Sequence, residues 1–398
     1  MLFNLLPEVF GVVLLIDVIR SYRQRRAAIT QPCPPTPRPI TYPPVSVIRA
    51  IRGLDVGARE NISAALNNGY PGEVETIFVF DDESEPALPL VRQAIDAHRA
   101  AQNKGTASVL IAGPPPPGYT GKLNAMIAGA QVAKGELIAF ADSDIRPDQD
   151  TLRILVETIL NREDAASSFA PIVVATPAHT AGDVGYALMI NSLYGSMAAT
   201  KAVQNHGEMP FIMGEFMVIR RDPLKAIGGL HAAAGQLVDD MYIGAKLSAA
   251  GYPNIMIGHR VPIIQERMSI REFLKTYRLW ITFSRTGLPV WSFKIPAALP
   301  VIEFWLGTIA CIAAFWTGND LAGVLAGSAS VLVGVSLTSW HRVIGGVPLP
   351  KRYFWVPYTL LLSGPFVLVD SILRRRVAWR GRTYGLNGKG QLENNRKE

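Results

Sequence analysis

The stretch ELIAFADSDIRPDQD (136–150) decides the fold: an apolar run of strand composition ends on Asp142-Ser143-Asp144, and a helix is predicted to start near Gln149. The same alternation continues on the N-terminal side. VSVIRAI (45–51), VETIFVF (74–80) and SVLIA (108–112) read as buried strands, while ARENISAALNN (58–68) and ALPLVRQAIDAH (87–98) have amphipathic helical spacing. Strands alternating with helices predict a doubly wound α/β domain on a parallel sheet, spanning 45–268. In such sheets ligands gather at the carboxyl ends of the strands, where Asp81-Asp82 and Asp142-Ser143-Asp144 both fall.

Outside that domain the composition changes. Of 398 residues, 49% are hydrophobic and only 18% charged, more apolar than an ordinary soluble chain. The net charge of +7 comes with arginines beside apolar stretches, Arg20, Arg23, Arg25 and Arg26 early and Arg374, Arg375, Arg376, Arg380 and Arg382 late. That placement points to anionic lipid headgroups rather than nucleic acid. Residues 2–19 are apolar except for Glu8 and Asp17 and lack a small-residue cleavage site, which predicts an uncleaved membrane anchor over 1–20, with an interfacial helix as the alternative. A basic, proline-rich linker over 21–44 follows. Residues 269–293 mix basic and aromatic side chains, the composition of an amphipathic interfacial helix. Three apolar segments, 296–316, 321–340 and 353–373, predict membrane helices within 294–376, ahead of a cytoplasmic tail over 377–398. Ser363-Gly364-Pro365 predicts a break in the last of them, making it re-entrant or interfacial with both ends cytoplasmic; the alternative is that it spans, kinked, and an earlier segment does not. The two cysteines, Cys33 and Cys311, build neither a disulfide framework nor a zinc site, and the six histidines show no ligand spacing.

Three acidic pairs carry the candidate chemistry. Asp142 and Asp144, one residue apart at a strand end, offer hard oxygens suited to Mg²⁺ or Mn²⁺; two turn carboxylates before a helix would look the same. Asp81 and Asp82, with Glu85 following, could hydrogen-bond a nucleoside or form a solvated acidic turn. Asp239 and Asp240 open a helix and read equally as caps or as a base beside the metal-bound donor. GYTGKLNAM (118–126) is a Gly-rich turn followed by Lys122 and Asn124, apt for a phosphate or base but without Walker spacing. In MGEFMVIRRD (213–222), Gly214 would let a sugar approach the backbone closely.

Taken in order, SVIRAIRGLD (46–55), GYP (69–71), Lys122 with Asn124, ADSDIRPDQDTL (141–152), MGEFMVIRRDPLKAIGGL (213–230), VDDMYIGAKLSAAGY (238–252), SIREF (269–273) and WRGRTYGL (379–386) resemble the family-2-type, GT-A-fold glycosyltransferases. Within these the likeness is to the ceramide glucosyltransferase branch, which includes bacterial hopanoid-associated enzymes. The resemblance implies that the 81–85 turn contacts the nucleotide, that Asp142 and Asp144 hold a metal-bound diphosphate, and that Asp240 is the base of an inverting transfer. It further implies a UDP-sugar donor, UDP-glucose first, a membrane lipid acceptor of ceramide, sphingolipid-like or hopanoid type, and a catalytic domain on the cytoplasmic face of a bacterial inner membrane. Where the family has Gln-x-x-Arg-Trp, this chain reads Thr276-Tyr277-Arg278-Leu279-Trp280. Arg278 and Trp280 are the candidates there for a diphosphate or acceptor contact, and the missing motif argues against a processive polysaccharide synthase. The alternatives are a polyprenyl-phosphate glycosyltransferase and a non-catalytic nucleotide-binding regulator of a membrane complex.

Overall fold

A computed structural model describes residues 5–31, 37, 39, 41–388 and 390–393; Cys33 and part of the 31–44 stretch lie outside them. Helix α1 (Leu6–Thr30) leads into β1 (Val45–Ala50), α2 (Ala58–Leu66), β2 (Val74–Phe80), α3 (Leu88–Ala100), β3 (Thr106–Ile111), α4 (Gly121–Val132), β4 (Leu137–Ala141) and α5 (Thr151–Leu160). The second half of the α/β domain holds β5 (Ser167–Phe169), β6 (Ile172–Val173), α6 (Ala181–Leu188), a π-helical stretch (Met189–Gly195), α7 (Ser196–Gln204), β7 (Glu208–Met209) and β8 (Phe216–Arg220). It closes with α8 (Arg221–Ala226), α9 (Asp239–Ala249), β9 (Asn254–Met256) and β10 (Val261–Pro262). Then come α10 (Ile270–Gly287), a short π-helix (Val290–Lys294), α11 (Ile295–Trp316), α12 (Asp320–Val343), α13 (Val356–Leu373) and a hairpin of β11 (Arg376–Trp379) and β12 (Arg382–Gly385).

Eight strands form one sheet in the order β3-β2-β1-β4-β8-β5-β9-β7. β1 lies between β2 and β4 and parallel to both, with Val45 opposite Val74 and Leu137. Successive side chains of a strand point to opposite faces. Phe78 and Phe80 accordingly pack on α2 and α3, whereas Ile77 and Val79 join the core shared with Leu123 and Met126 of α4. Burial on both faces is what a near-continuous apolar strand such as β4 requires. The parallel pairing brings the exits of β1, β2 and β4 to one edge, so Asp55, Asp81 and Asp142 share a crevice.

Among the described residues, three helical stretches are long and apolar enough to cross a membrane: Val290–Trp316, Asp320–Val343 and Lys351–Leu373. α11 and α12 form a hairpin that leaves the α/β domain and returns to it. At the departing end Phe293 meets Phe211 edge-on with ring centroids 5.0 Å apart, and at the returning end Asn191 bonds His341 at 3.0 Å. α1 runs parallel to α12, with Asn319 donating to Glu8 at 2.8 Å at one end and Tyr22 meeting Ser339 at 3.0 Å at the other. α1 continues to Thr30, so the anchor expected to end at residue 20 extends into what was read as linker. The reason is packing: Arg25 is buried, donates to Ser196 and to the Pro296 carbonyl (2.6 Å), and lies over the Trp340 ring.

The break expected at Ser363-Gly364-Pro365 is absent, and α13 is one helix with Pro365 inside it. A helical proline leaves the carbonyl four residues earlier without its donor. That carbonyl belongs to Leu361, and Trp305 of α11 donates its indole N–H to it at 3.3 Å. Pro300 in α11 is handled the same way, since the carbonyl it frees is that of Pro296, taken by Arg25. Both ends of α13 lie on the domain side. Tyr353, just before it, donates to the His179 carbonyl at 3.1 Å, and Asp370, near its end, pairs with Arg278 of α10.

Candidate active site

The carboxyl edge of the sheet opens into a cavity of about 340 Å³. Asp142 follows β4, where its N–H donates to the Glu215 carbonyl at 2.8 Å and ties β4 to the start of β8. Its carboxylate pairs with Lys122 in the first turn of α4 at 2.7 Å. Burial alone would lower the pKa of Lys122, but Asp142, Asp239 and Asp240 around it hold it above its ordinary value. Asp144 turns one carboxylate oxygen to Arg380 at 3.2 Å, while the other is buried without a hydrogen-bond partner. Burial pushes its carboxyl up to about 6 against the pull of Arg380. Beneath the pair, Arg49 of β1 is fully buried, donates to the Ile145 carbonyl at 2.6 Å, and supplies fixed positive charge under Asp142, Asp144 and Asp55.

Among the described residues no group of three or more His, Cys, Asp or Glu side chains converges as a metal cage. The donor set still fits a hard cation shared with a diphosphate, because such ions are held by one or two carboxylates plus substrate phosphates. Asp144 lines the cavity beside Asp142, and its unpartnered buried oxygen is the atom such an ion would satisfy.

Asp239 and Asp240 start α9. Asp239 is buried, accepting from the Asp240 N–H (2.8 Å) and the Thr120 hydroxyl (3.3 Å). Asp240 reaches across to accept the Gly214 N–H at 2.5 Å. A Cβ on Gly214 would come 2.4 Å from that of Asp240, so the close approach at this glycine is that of the Asp240 side chain rather than the expected sugar, and Gly214 does not line the cavity. Burial raises the carboxyl pKa of both aspartates, that of Asp239 to about 6, with Lys122 opposing. Glu215, half-buried beside Asp240 and Asp142, is pushed up to about 8 by its desolvation and by those two carboxylates.

The remaining expected residues divide. Asp81 lines the cavity, paired with Arg52 and, at 2.8 Å, with Arg382. Asp82 instead faces Ser84, accepting from its N–H and hydroxyl, and Glu85 accepts the Gly53 N–H at 2.7 Å; both shape the turn and neither lines the cavity. Asn124 points away, donating to the Gly113 carbonyl at 3.1 Å. Trp280 lines the cavity against Tyr194, with ring centroids 5.3 Å apart. Arg278 does not: it faces the other side of α10 and pairs with Asp370 at 3.5 Å. On an α-helix the next residue is rotated by about 100°, so the one-position displacement of this arginine takes it off the cavity face.

Sequence reasoning passed over Arg52 and Asp55 as single residues, and it read Arg380 and Arg382 as charge for lipid headgroups, whereas both line the cavity and pair with its aspartates. Arg52 and Asp55 lie just past the carboxyl end of β1, and that position was the available signal.

The sequence profile of Glycosyl transferase family 21 matches residues 9–392. The chain belongs to glycosyl transferase family 21. Ceramide glucosyltransferase 3 of Caenorhabditis elegans is 22% identical over 360 residues, spanning 88% of this chain and 74% of the relative. Among solved structures, the mannosyltransferase PcManGT from Pyrobaculum calidifontis, in complex with GDP-Man and Mn²⁺, superposes with a TM-score of 0.54 at 18% identity, covering 90% of this chain and 99% of that one. The family 21 chain is therefore a membrane glycosyltransferase with a GT-A fold.

Proposed function

We propose that this chain transfers a hexose from a UDP-sugar, UDP-glucose first, to the hydroxyl of a membrane lipid of ceramide or sphingolipid-like type, at the cytoplasmic membrane face. The observation that carries this reading is the two-part lining of one cavity. Its polar part gathers Asp55, Asp81, Asp142, Asp144, Asp239 and Asp240. Its apolar part is the wall made by Ile190, Tyr194 and Ala198 of the π-helix and α7 with Leu279, Trp280 and Phe283 of α10. π-Helical turns recur at functional sites. The α10 side of that wall belongs to the amphipathic helix that leads directly into α11, so an alkyl chain entering from the bilayer would meet it first.

In this reading Asp142 and Asp144 hold the cation, and Lys122 fixes Asp142 in place. A divalent ion held there would supply charge neutralisation for the diphosphate leaving group. Asp240 accepts the proton of the acceptor hydroxyl; the acceptor oxygen bonds to the anomeric carbon as its bond to phosphate breaks and UDP leaves, inverting the configuration. The elevated carboxyl pKa and the Gly214 N–H suit Asp240 to hold a proton in transit and to keep its orientation. Asp239, tied to Thr120 and to the backbone of Asp240, positions it. The test is the linkage in the product: a glycosidic bond to a lipid hydroxyl survives mild acid, whereas a sugar on polyprenyl phosphate is released, and acid-labile product would overturn the hydroxyl acceptor.

A further inference from the structure

The hairpin at 376–385 lies in the same cavity. Its strands pair Val377 with Tyr384, and its two-residue turn places Arg380 (φ 48°) and Gly381 (φ 72°) in the left-handed region, the geometry of a tight type I′ connection. A non-glycine residue there marks a position held by its surroundings. Here the Arg380 carbonyl accepts from Arg52 at 2.6 Å, while the base of the hairpin is fixed by Trp379 edge-on to Phe283 and by the Tyr384 hydroxyl accepting the Gly121 N–H.

What the hairpin delivers is charge. Among the described residues lining the cavity the cations are Arg52, Lys122, Arg380 and Arg382, so half of them come from this one turn. Arg380 contacts Asp55 and Asp144 at the exits of β1 and β4, and Arg382 contacts Asp81 at the exit of β2. The two guanidiniums thus flank the crevice in which a nucleoside diphosphate would lie. Arginine is the side chain best shaped for bidentate phosphate contact. The arginine expected for that task, Arg278, is engaged with Asp370 elsewhere.

We propose that this hairpin is a clamp for the donor diphosphate, with Arg380 as an exchangeable counter-ion. Without donor, Arg380 neutralises Asp144 and Asp55; with the cation–diphosphate bound, Arg380 leaves Asp144 and, together with Arg382, binds phosphate oxygens. The exchange keeps the acidic crevice compensated in both states, which a cluster of buried carboxylates requires. This inference rests on the nucleotide-sugar reading above.

Calorimetry on the full chain in lipid nanodiscs, titrating Mn²⁺ alone and then UDP in the presence of Mn²⁺, separates the two. Arg382→Ala is expected to weaken UDP binding by about tenfold or more, the worth of one charge-assisted contact, and to leave binding of Mn²⁺ alone unchanged. Arg380→Ala is expected to weaken UDP to a similar degree yet tighten binding of Mn²⁺ alone, since Asp144 loses its competing cation. Arg380→Lys should recover part of the UDP affinity, and Arg278→Ala should change neither titration. Unchanged UDP affinity in both alanine variants, with melting temperatures like that of the parent, would make the hairpin purely structural and overturn the clamp. Weaker Mn²⁺ binding in Arg380→Ala would overturn the counter-ion exchange. If the parent protein binds no UDP with Mn²⁺ present, the donor reading fails and the clamp fails with it.

Discussion

Arg380 and Asp144 are 236 positions apart in the chain, and their side chains meet at 3.2 Å in the cavity at the carboxyl edge of the sheet. The hairpin of β11 and β12 thereby completes a site begun at the exit of β4.

Removing either carboxylate of the 142–144 pair deletes a ligand and the charge that retains the cation. Asp142→Asn and Asp144→Asn are therefore expected to abolish transfer while the protein still folds, and chelator should mimic them. Full activity of either variant in excess EDTA would remove the metal assignment.

Asp240→Asn is expected to lower turnover by about 10²-fold or more with little change in UDP affinity, the loss typical for a missing general base. Asp239→Asn should be milder, because its carboxylate acts through Thr120 and the Asp240 backbone. Burial holds the Asp240 carboxyl above its ordinary value, and the base must be deprotonated to act. Turnover should consequently fall on acidification at a higher pH than a surface aspartate would dictate. A collapse of UDP affinity in Asp240→Asn, with turnover per bound donor unchanged, would reassign it as a donor contact.

Gly214→Ala tests the positioning of that base. The added methyl would sit 2.4 Å from the Asp240 Cβ and must displace it. Misplacing a catalytic group by about 1 Å can cost roughly 10²-fold in rate. Turnover is expected to fall on that order with UDP affinity retained, and a fully active Gly214→Ala enzyme would contradict the assigned geometry.

The α/β domain was legible because its strands are buried on both faces and its helices on one, so the apolar period switches visibly along the chain. The acidic strand ends could be read for the same reason. What could not be read depends on distant partners. Pro365 looked like a break because the indole of Trp305, which satisfies the freed Leu361 carbonyl, comes from another helix. Arg278 looked like a site residue because it stands one position from the arginine of the Gln-x-x-Arg-Trp pattern, and only the packing of α10 against α13 shows it turned to Asp370. Arg380 and Arg382 were visible as part of WRGRTYGL, but no local pattern says that this hairpin folds back on β1, β2 and β4.

The contacts at both ends of α13 predict that the tail stays on the side of the α/β domain, with α11 and α12 as the crossings that follow that domain. An added side chain at Gly388 meets nothing within 4 Å, which makes Gly388→Cys, in a chain lacking Cys33 and Cys311, a benign reporter. In intact cells it should resist an impermeant maleimide and react after lysis. Labelling from outside would place the tail across the membrane and require α13 to span.

Transfer itself is read most directly by incubating the purified chain in lipid with Mn²⁺ and radiolabelled UDP-glucose, UDP-galactose or UDP-N-acetylglucosamine, and chromatographing the lipid extract. Label should pass from UDP-glucose to an acid-stable glycolipid when a ceramide-type acceptor is present, and should not do so with EDTA or with Asp240→Asn. Label appearing only on a polyprenyl phosphate, or equal transfer by Asp240→Asn, would contradict base-catalysed transfer to a lipid hydroxyl.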